Sequence, residues 1–319
     1  EGSDDNIVGT SATFRYPEGI TTDGTNLYVS DTNSHKIRKI EISTGEVTTL
    51  AGSGTQNFED GTGTNASFNS PRGITTDGTN LFVGDAYNSR IRKIVIATGV
   101  VTTIAGSGNY NTTDGRGTEA GFSEPSGITI VGNSMYVSEA YGHVIRKLSS
   151  RVAQTAGLAL HNLDDDTDVT VAVSSSDTGE GTVTPETLTF TEENWETPQA
   201  VTVTGVDDQD TDGHQGYKIS LYAENVYTEV PEVTTFAGAG SYGSEDGTGT
   251  SAYFNNPRGI TSDGTNLYVA DTYSNKIRKI EISTGVVTTF AGSGGEGSDD
   301  NIVGTSATFR YPEGITTDG

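Results

Sequence analysis

Residues 71–105 read PRGITTDGTNLFVGDAYNSRIRKIVIATGVVTTIA, and the same order of short motifs returns along the chain. Gly-Ile-Thr recurs at Gly19, Gly73, Gly127, Gly259 and Gly314, at spacings of 54, 54, 132 and 55 residues. Three spacings agree, and 132 is 54 plus an insertion of 78. In the four full units an apolar-aromatic run follows: Leu27-Tyr28-Val29, Leu81-Phe82-Val83, Met135-Tyr136-Val137 and Leu267-Tyr268-Val269. Two positions on stands an acid (Asp31, Asp85, Glu139, Asp271), and then an Ile-Arg-Lys segment begins at Ile37, Ile91, Ile145 and Ile277. A Val-Thr-Thr run closes each unit on Ala51, Ala105, Ala237 or Ala291. Each unit therefore offers four runs rich in Val, Ile, Thr and Tyr, parted by turns rich in Gly, Asn, Asp and Ser, which is strand and hairpin chemistry. No stretch sustains a helical period. A four-stranded unit repeated at a fixed period reads as a propeller blade, and such a blade must stack on neighbours to bury its faces.

These residues resemble the NHL-repeat family. The pattern is P-x-G-I, L-Y-V-x-D, K-I-R-K-I, V-T-T-x-A-G-S-G and D-G-T-G-T-x-A-x-F, over residues 1–150 and 231–319. The resemblance implies a β-propeller but no activity, because the family spans scaffolds, binding modules and a few enzymes. The fold class expected is all-β: NHL-type β-propeller blades, four per 295-residue period, plus a small β-sandwich module.

Residues 1–24 and 296–319 are identical, EGSDDNIVGTSATFRYPEGITTDG. The blades among themselves are far less alike, so this identity reads as one period, with overlap, of a longer tandem array. Ring size stays open: four blades, eight from two periods, or an unclosed superhelix.

The repeat breaks after Leu148 and resumes at Glu232. Residues 151–230 contain alternating runs at Val169-Val171-Val173, Leu188-Phe190 and Val201-Val203, which read as strands. Trp195, the only Trp, is expected to cap a small core there. The run from Val171 to Asp208 resembles Calx-beta-like, immunoglobulin-type modules, which implies a sandwich of the kind found in bacterial surface proteins. The chain thus divides into propeller blades (1–150), a Calx-beta-like sandwich (151–230) and further blades (231–319). The last belong either to the same ring or to the next propeller of an array. We favour the array, in which Glu232 opens a new propeller and the sandwich joins two of them.

Composition narrows function. There are 319 residues, no Cys and a net charge of −25, so disulfides and thiolate metal sites are excluded. Nucleic acid and anionic membranes are poor partners for such a surface. No apolar run is long enough to cross a bilayer as a helix.

Candidate sites are few. Residues 151–230 hold 16 acidic and 2 basic side chains, net −14. Within them Asp208, Asp210 and Asp212 followed by Gly213 match the first half of an Asp-x-Asp-x-Asp-Gly calcium loop, and hard carboxylate oxygens suit Ca²⁺. The twelfth position is Ile219 rather than Glu, so this is no EF-hand, and the bland reading is a solvated acidic turn. The acids at Asp31, Asp85, Glu139 and Asp271 and the bases at Arg38, Arg92, Arg146 and Arg278 share a register, which predicts ion pairs within blades. Exposed, each would contribute only about 0–1 kcal/mol. Asp60-Gly61, Asp114-Gly115 and Asp246-Gly247 read as turns. His35 and His143 occupy one repeat position and read as turn residues rather than zinc ligands. Neither a Gly-x-Ser-x-Gly nor a His-Glu-x-x-His motif nor a Walker loop occurs, and no catalytic residue is assigned.

The expected function is an extracellular or cell-surface structural or adhesive protein, not an enzyme, whose identical units self-associate into a filament or layer. The alternative is a propeller that binds glycan or protein on one face, for which Tyr87, Tyr141 and Tyr273, at one turn register, are the candidates. A propeller enzyme is the third reading.

Overall fold

The computed structural model of the chain describes residues 7–8, 11–149, 169–175, 181–191, 199–205, 219–223, 231–301 and 303–317. They fall into two units, one of Glu1–Ser149 with Val230–Gly319 and one of Ser150–Glu229.

The first unit is a four-blade propeller arrangement. The first blade consists of Pro17–Thr22, Asn26–Asp31, Lys36–Glu41 and Glu46–Ala51. The second consists of Pro71–Thr76, Asn80–Asp85, Arg90–Val95 and Val100–Ala105. The fourth consists of Pro257–Ser262, Asn266–Asp271, Lys276–Glu281 and Val286–Ala291. Each is an antiparallel meander, with a two-residue strip added on its outer edge by the chain leading into it: Ile7–Val8, Gly61–Thr62 and Gly247–Thr248.

The third blade spans the interruption. Pro125–Val131, Ser134–Glu139 and Val144–Ser149 are followed in the sheet by Glu232–Ala237. The latter pairs Val233 with Leu148 and Ala237 with Ile145, as Val47 pairs with Ile40 and Ala51 with Ile37 in the first blade. Glu232–Ala237 thus completes the third blade within this chain. An edge strand with unpaired backbone groups takes the ladder left open by Val144–Ser149, and the chain of 151–230 leaves and returns between two adjacent strands of one blade.

Turn chemistry shapes the blades locally. Between first and second strands, Asp77 Oδ1 accepts the amides of Thr79 (2.9 Å) and Asn80 (2.6 Å), and Asp23 and Asp263 repeat this. These are Asx-type turns, closed by a glycine at positive φ such as Gly78 at 90°.

The cores lie between blades. Tyr28, Ile37 and Ala51 of the first blade meet Ile74, Leu81, Val83, Ile94 and Val101 of the second, with Phe68 of the connection buried among them. Phe82, Ile91 and Ala105 meet the third blade around Phe122. Tyr136, Ile145 and Ala237 meet the fourth around Phe254. The inner strands approach so closely that a Cβ on Gly19, Gly73 or Gly127 would collide with the carbonyl oxygen of Arg72, Ser126 or Arg258 on the next blade. That is the physical reason for the glycine of the Gly-Ile-Thr motif. The blades stack in series, first to fourth. Ile20, on the face of the first blade turned away from the second, is 63% exposed, against 6% for its equivalent Ile74 between blades.

The described part of the second unit holds two sheets. Val169–Ser175 lies between Thr187–Phe190 and Ile219–Ala223, and Gly181–Thr184 pairs with Thr202–Gly205. Val171, Val173, Val183, Leu188 and Phe190 form its apolar cluster, with Val201 half-buried against it. These strands do not amount to a complete sandwich of the Calx-beta kind. Trp195 and the acidic run containing Asp208, Asp210 and Asp212 lie outside the described residues.

Candidate functional site

One end of the blades gathers the unusual chemistry. In an antiparallel meander, the turn between second and third strands and the connection to the next blade lie at the same end. Among the described residues, all nine non-glycine residues with positive φ are there. Four close the turns after the second strands (His35, Ser89, His143, Asn275), and five stand immediately before the proline of a Pro-x-Gly-Ile motif (Tyr16, Ser70, Glu124, Asn256, Tyr311). Backbone held in this region is sparsely populated and persists only where surroundings over-determine it.

Those surroundings are a repeated set of hydrogen bonds. Asp85 Oδ1 accepts the amide of Asn69 at 2.7 Å, and Tyr87 N donates to Asn69 O at 3.1 Å. Asp31 and Asp271 hold Arg15 N (2.6 Å) and Asn255 N (2.7 Å) in the same way, and Glu139 holds Ser123 N (2.9 Å). His35 Nδ1 accepts Ser70 N at 3.0 Å and His143 Nδ1 accepts Asn256 N at 3.1 Å, each tying one blade's turn to the lead-in of the next. Burial holds both imidazoles below their ordinary pKa, which suits an acceptor role. The reading of these histidines as turn residues agrees with their positions.

The predicted ion pairs form: Arg38 with Asp31 (3.3 Å), Arg92 with Asp85 (2.8 Å), Arg278 with Asp271 (3.0 Å), and Arg146 with Glu139. Their expected exposure does not hold, because both partners of every pair are fully buried. The connection leading into each blade covers them, with a phenylalanine ring against each guanidinium, Phe68 5.0 Å from Arg92 and Phe14, Phe122 and Phe254 in the other blades. Asp60, Asp114 and Asp246, read only as turn residues, each accept from the second guanidinium nitrogen at 2.7–2.9 Å. Burial raises the Asp271 carboxyl to about 6, against the pull of Asn255 N and Arg278. These sites are structural: they clamp the lead-in of a blade to its third strand.

On this scaffold stands a row of exposed tyrosines. Tyr87, Tyr141 and Tyr273, the predicted three, occupy the turns after the second strands and are about half exposed. Tyr110 and Tyr242, on the connections between blades, and Tyr16 and Tyr311, each before a Pro-x-Gly-Ile motif, join them. Tyr110 and Tyr141 stand 6.3 Å apart between ring centroids, and Tyr273 and Tyr311 stand 5.7 Å apart. Arg72, which opens the second blade, links three blades at this end. Its Nε lies 3.3 Å from Glu18, its Nη1 meets Glu124, and Nη2 donates to the Tyr87 hydroxyl at 3.4 Å. The Tyr110 hydroxyl donates to Glu124 Oε2 at 3.4 Å, and its pKa is pushed up to about 12 by burial and by Glu124, so it stays a neutral donor. Glu18 is raised by burial against the pull of Arg72. The signal for the four further tyrosines was the position before Pro-x-Gly-Ile and the connection ahead of it. The Arg72–Glu124 link breaks the repeat and carries no such signal.

The arrangement offers flat aromatic surface with hydroxyl donors, bordered by carboxylates and one tied arginine. Such a surface takes polar, uncharged or cationic ligands and buries area at low conformational cost. Among the described residues no group of three His, Cys, Asp or Glu is placed to hold a metal ion.

No family profile matches the chain. Curated relatives do: NHL repeat-containing protein 2 of Bos taurus is 28% identical, covering 94% of this chain and 43% of its own length. Its counterpart in Homo sapiens is 26% identical over the same shares. The chain thus spans less than half the length of these relatives. Among solved structures, an auxiliary nutrient binding protein from Bacteroides ovatus matches 99% of this chain and 68% of its own, at 15% identity and a TM-score of 0.46. Together with the four-blade arrangement, the curated relatives support reading the blades as an NHL-type propeller.

Proposed function

We propose that this chain is a ligand-binding propeller, and that the tyrosine-bearing blade end takes an uncharged or cationic polar ligand, a glycan or a segment of another protein. The observation that carries this is seven exposed tyrosines at one end of the blades, on backbone held rigid by repeated strained turns. Isolated exposed aromatics are ordinary, but an aligned group on a fixed scaffold marks an interaction surface. The net charge of −25 disfavours polyanionic ligands. The strongly acidic surface is compatible with an extracellular or cell-surface setting, which is the one proposed, and the proposed role is binding without catalysis.

The test is binding to arrays of neutral glycans and of peptides by the wild type and by the Tyr87→Ala/Tyr141→Ala/Tyr273→Ala variant. Binding by the wild type, lost at least tenfold in the variant with melting unchanged, supports the reading. Equal binding by both proteins refutes this surface, and no binding to either array refutes the ligand class.

A further inference from the structure

We propose that Tyr110 and Tyr141 form an oxidative cross-linking site, at which a peroxidase supplied with hydrogen peroxide joins the two rings as dityrosine and staples the third blade to the connection that leads into it. The proposal requires no ligand at the tyrosine row and stands apart from the binding role.

Proximity on a fixed backbone carries it. The ring centroids are 6.3 Å apart and the planes are tilted by 57°. Tyr110 is 55% exposed and Tyr141 57%, so both rings are open to an oxidant and have room to turn toward each other. Their attachment points are pinned. Two residues after Tyr110, the Thr112 hydroxyl donates to Glu139 Oε2 at 2.6 Å. Two residues before Tyr141 stands the same Glu139, fully buried against Arg146. Ala140 N donates to Glu124 O at 3.1 Å, and His143 N to Glu139 O at 3.0 Å. One buried carboxylate thus holds both the connection and the turn, and such positioning turns an encounter of two phenols into an intramolecular step.

The site also holds a proton acceptor. The Tyr110 hydroxyl donates to Glu124 Oε2 at 3.4 Å, while Arg72 holds Oε1 of the same carboxylate. A neutral phenol gives up an electron far more readily when its proton leaves with it, and Glu124 stands where that proton goes.

The chemistry balances. Each phenol loses one electron and its hydroxyl proton, which leaves a phenoxyl radical with spin on the Cε ring carbons. One Cε of each ring joins the other in a new carbon–carbon bond. The hydrogens on those two carbons are then lost as protons while the two oxygens regain theirs, which restores both aromatic rings. The two electrons and two protons released overall reduce one hydrogen peroxide to two waters, and the protein ends two hydrogens lighter. The chain has no Cys, and this bond restricts its unfolded state as a disulfide would, by closing the loop from Tyr110 to Tyr141.

Tyr273 and Tyr311, with ring centroids 5.7 Å apart, are a second close pair, so every protein tested carries Tyr273→Phe. Dilute protein is treated with a haem peroxidase and hydrogen peroxide, dityrosine fluorescence is followed, and the monomer is digested for peptide mapping by mass spectrometry. The expected product is a monomer lighter by two hydrogens, with one linked peptide pair joining Tyr110 to Tyr141 and a melting temperature raised by about 5 °C. Adding Tyr110→Phe or Tyr141→Phe keeps the ring but removes the hydroxyl hydrogen, and each is expected to lower the fluorescence at least tenfold. A monomer without the Tyr110–Tyr141 link, links spread evenly over the tyrosines, links between chains only, or fluorescence that survives either phenylalanine overturns the proposal. A linked monomer that melts no higher than the unlinked one overturns its role as a staple.

Discussion

Arg92 Nη2 donates to Asp60 Oδ1 at 2.7 Å, so a third-strand residue grips the connection that led into its blade. The other nitrogen of the same guanidinium holds Asp85 at 2.8 Å and Ser67 O at 3.0 Å. One side chain thus secures the second strand, the lead-in and, through Phe68, the joint with the preceding blade.

This geometry separates two substitutions at one arginine. Arg92→Met leaves the Asp85 carboxylate fully buried without its cation, and the expected loss is about 3–5 kcal/mol. Asp60 is nearly half exposed, so solvent screens its pair, and Asp60→Ala is expected to cost about 1 kcal/mol. Adding Asp85→Leu to Arg92→Met is expected to recover part of the larger loss, because an apolar pair of similar volume carries no stranded charge. Urea denaturation followed by circular dichroism measures all three. Equal costs for Arg92→Met and Asp60→Ala would show that burial is not what distinguishes the pairs.

The glycines of the first strands supply a comparison within one chain. A Cβ on Gly73 meets Ser126 O and stands 2.8 Å from Gly127 Cα, both on the next blade, whereas nothing lies within 4 Å of one on Gly314. Gly73→Ala is therefore expected to lose about 3 kcal/mol or more through forced separation of blades, and Gly314→Ala to leave melting unchanged. A harmless Gly73→Ala would mean that the blades do not stack at this spacing.

How much of this was legible depends on how far each partner lies along the chain. The register of Asp85 and Arg92 showed that they pair, because both sit on adjacent strands of one repeat. It did not show that they are buried, because the covering ring, Phe68, comes from the connection ahead of the blade and from neither of the two strands. Asp60 read as a turn residue because its partner is a strand on the far side of its own blade. The tyrosines at 87, 141 and 273 were legible from their shared register, but Arg72 with Glu124 was not, since that link joins unlike positions of two repeats. The placement of Glu232 beside Val144–Ser149 was open in sequence, because an edge strand pairs equally well with any blade that lacks one.

Calcium is the one metal the sequence points to, through Asp208, Asp210 and Asp212. The expected outcome is a melting temperature raised by millimolar calcium and lowered by EDTA, with affinity of about 10⁻⁴–10⁻³ M. Asp208→Asn/Asp210→Asn/Asp212→Asn is expected to abolish the response. Identical melting curves in calcium and in EDTA for the wild type would dismiss the site as a solvated acidic turn.

The last prediction concerns pH. His35 and His143 accept backbone amides of Ser70 and Asn256 through Nδ1, and a proton on that nitrogen would set donor against donor. Burial is the main cause that lowers both pKa values from 6.5 in the folded chain, with Arg15 adding to it at His35. The unfolded chain then binds more protons as acidity rises, so the contribution is complete above about pH 6.5 and is lost as pH falls through the folded values. The fourth blade has already solved the problem without a titrating group, because Asn275 Oδ1 accepts Tyr311 N at 3.0 Å from the same left-handed position. His35→Asn/His143→Asn is accordingly expected to match the wild type at about pH 8 and to exceed its stability at about pH 5. Burial raises the Asp85, Glu139 and Asp271 carboxyls, and the sign for them is opposite: their contribution is present at low pH and lost as pH rises through the raised values. They are common to both proteins and cancel in the difference. A variant whose stability falls with pH in parallel with the wild type would show that these imidazoles are not the groups that titrate.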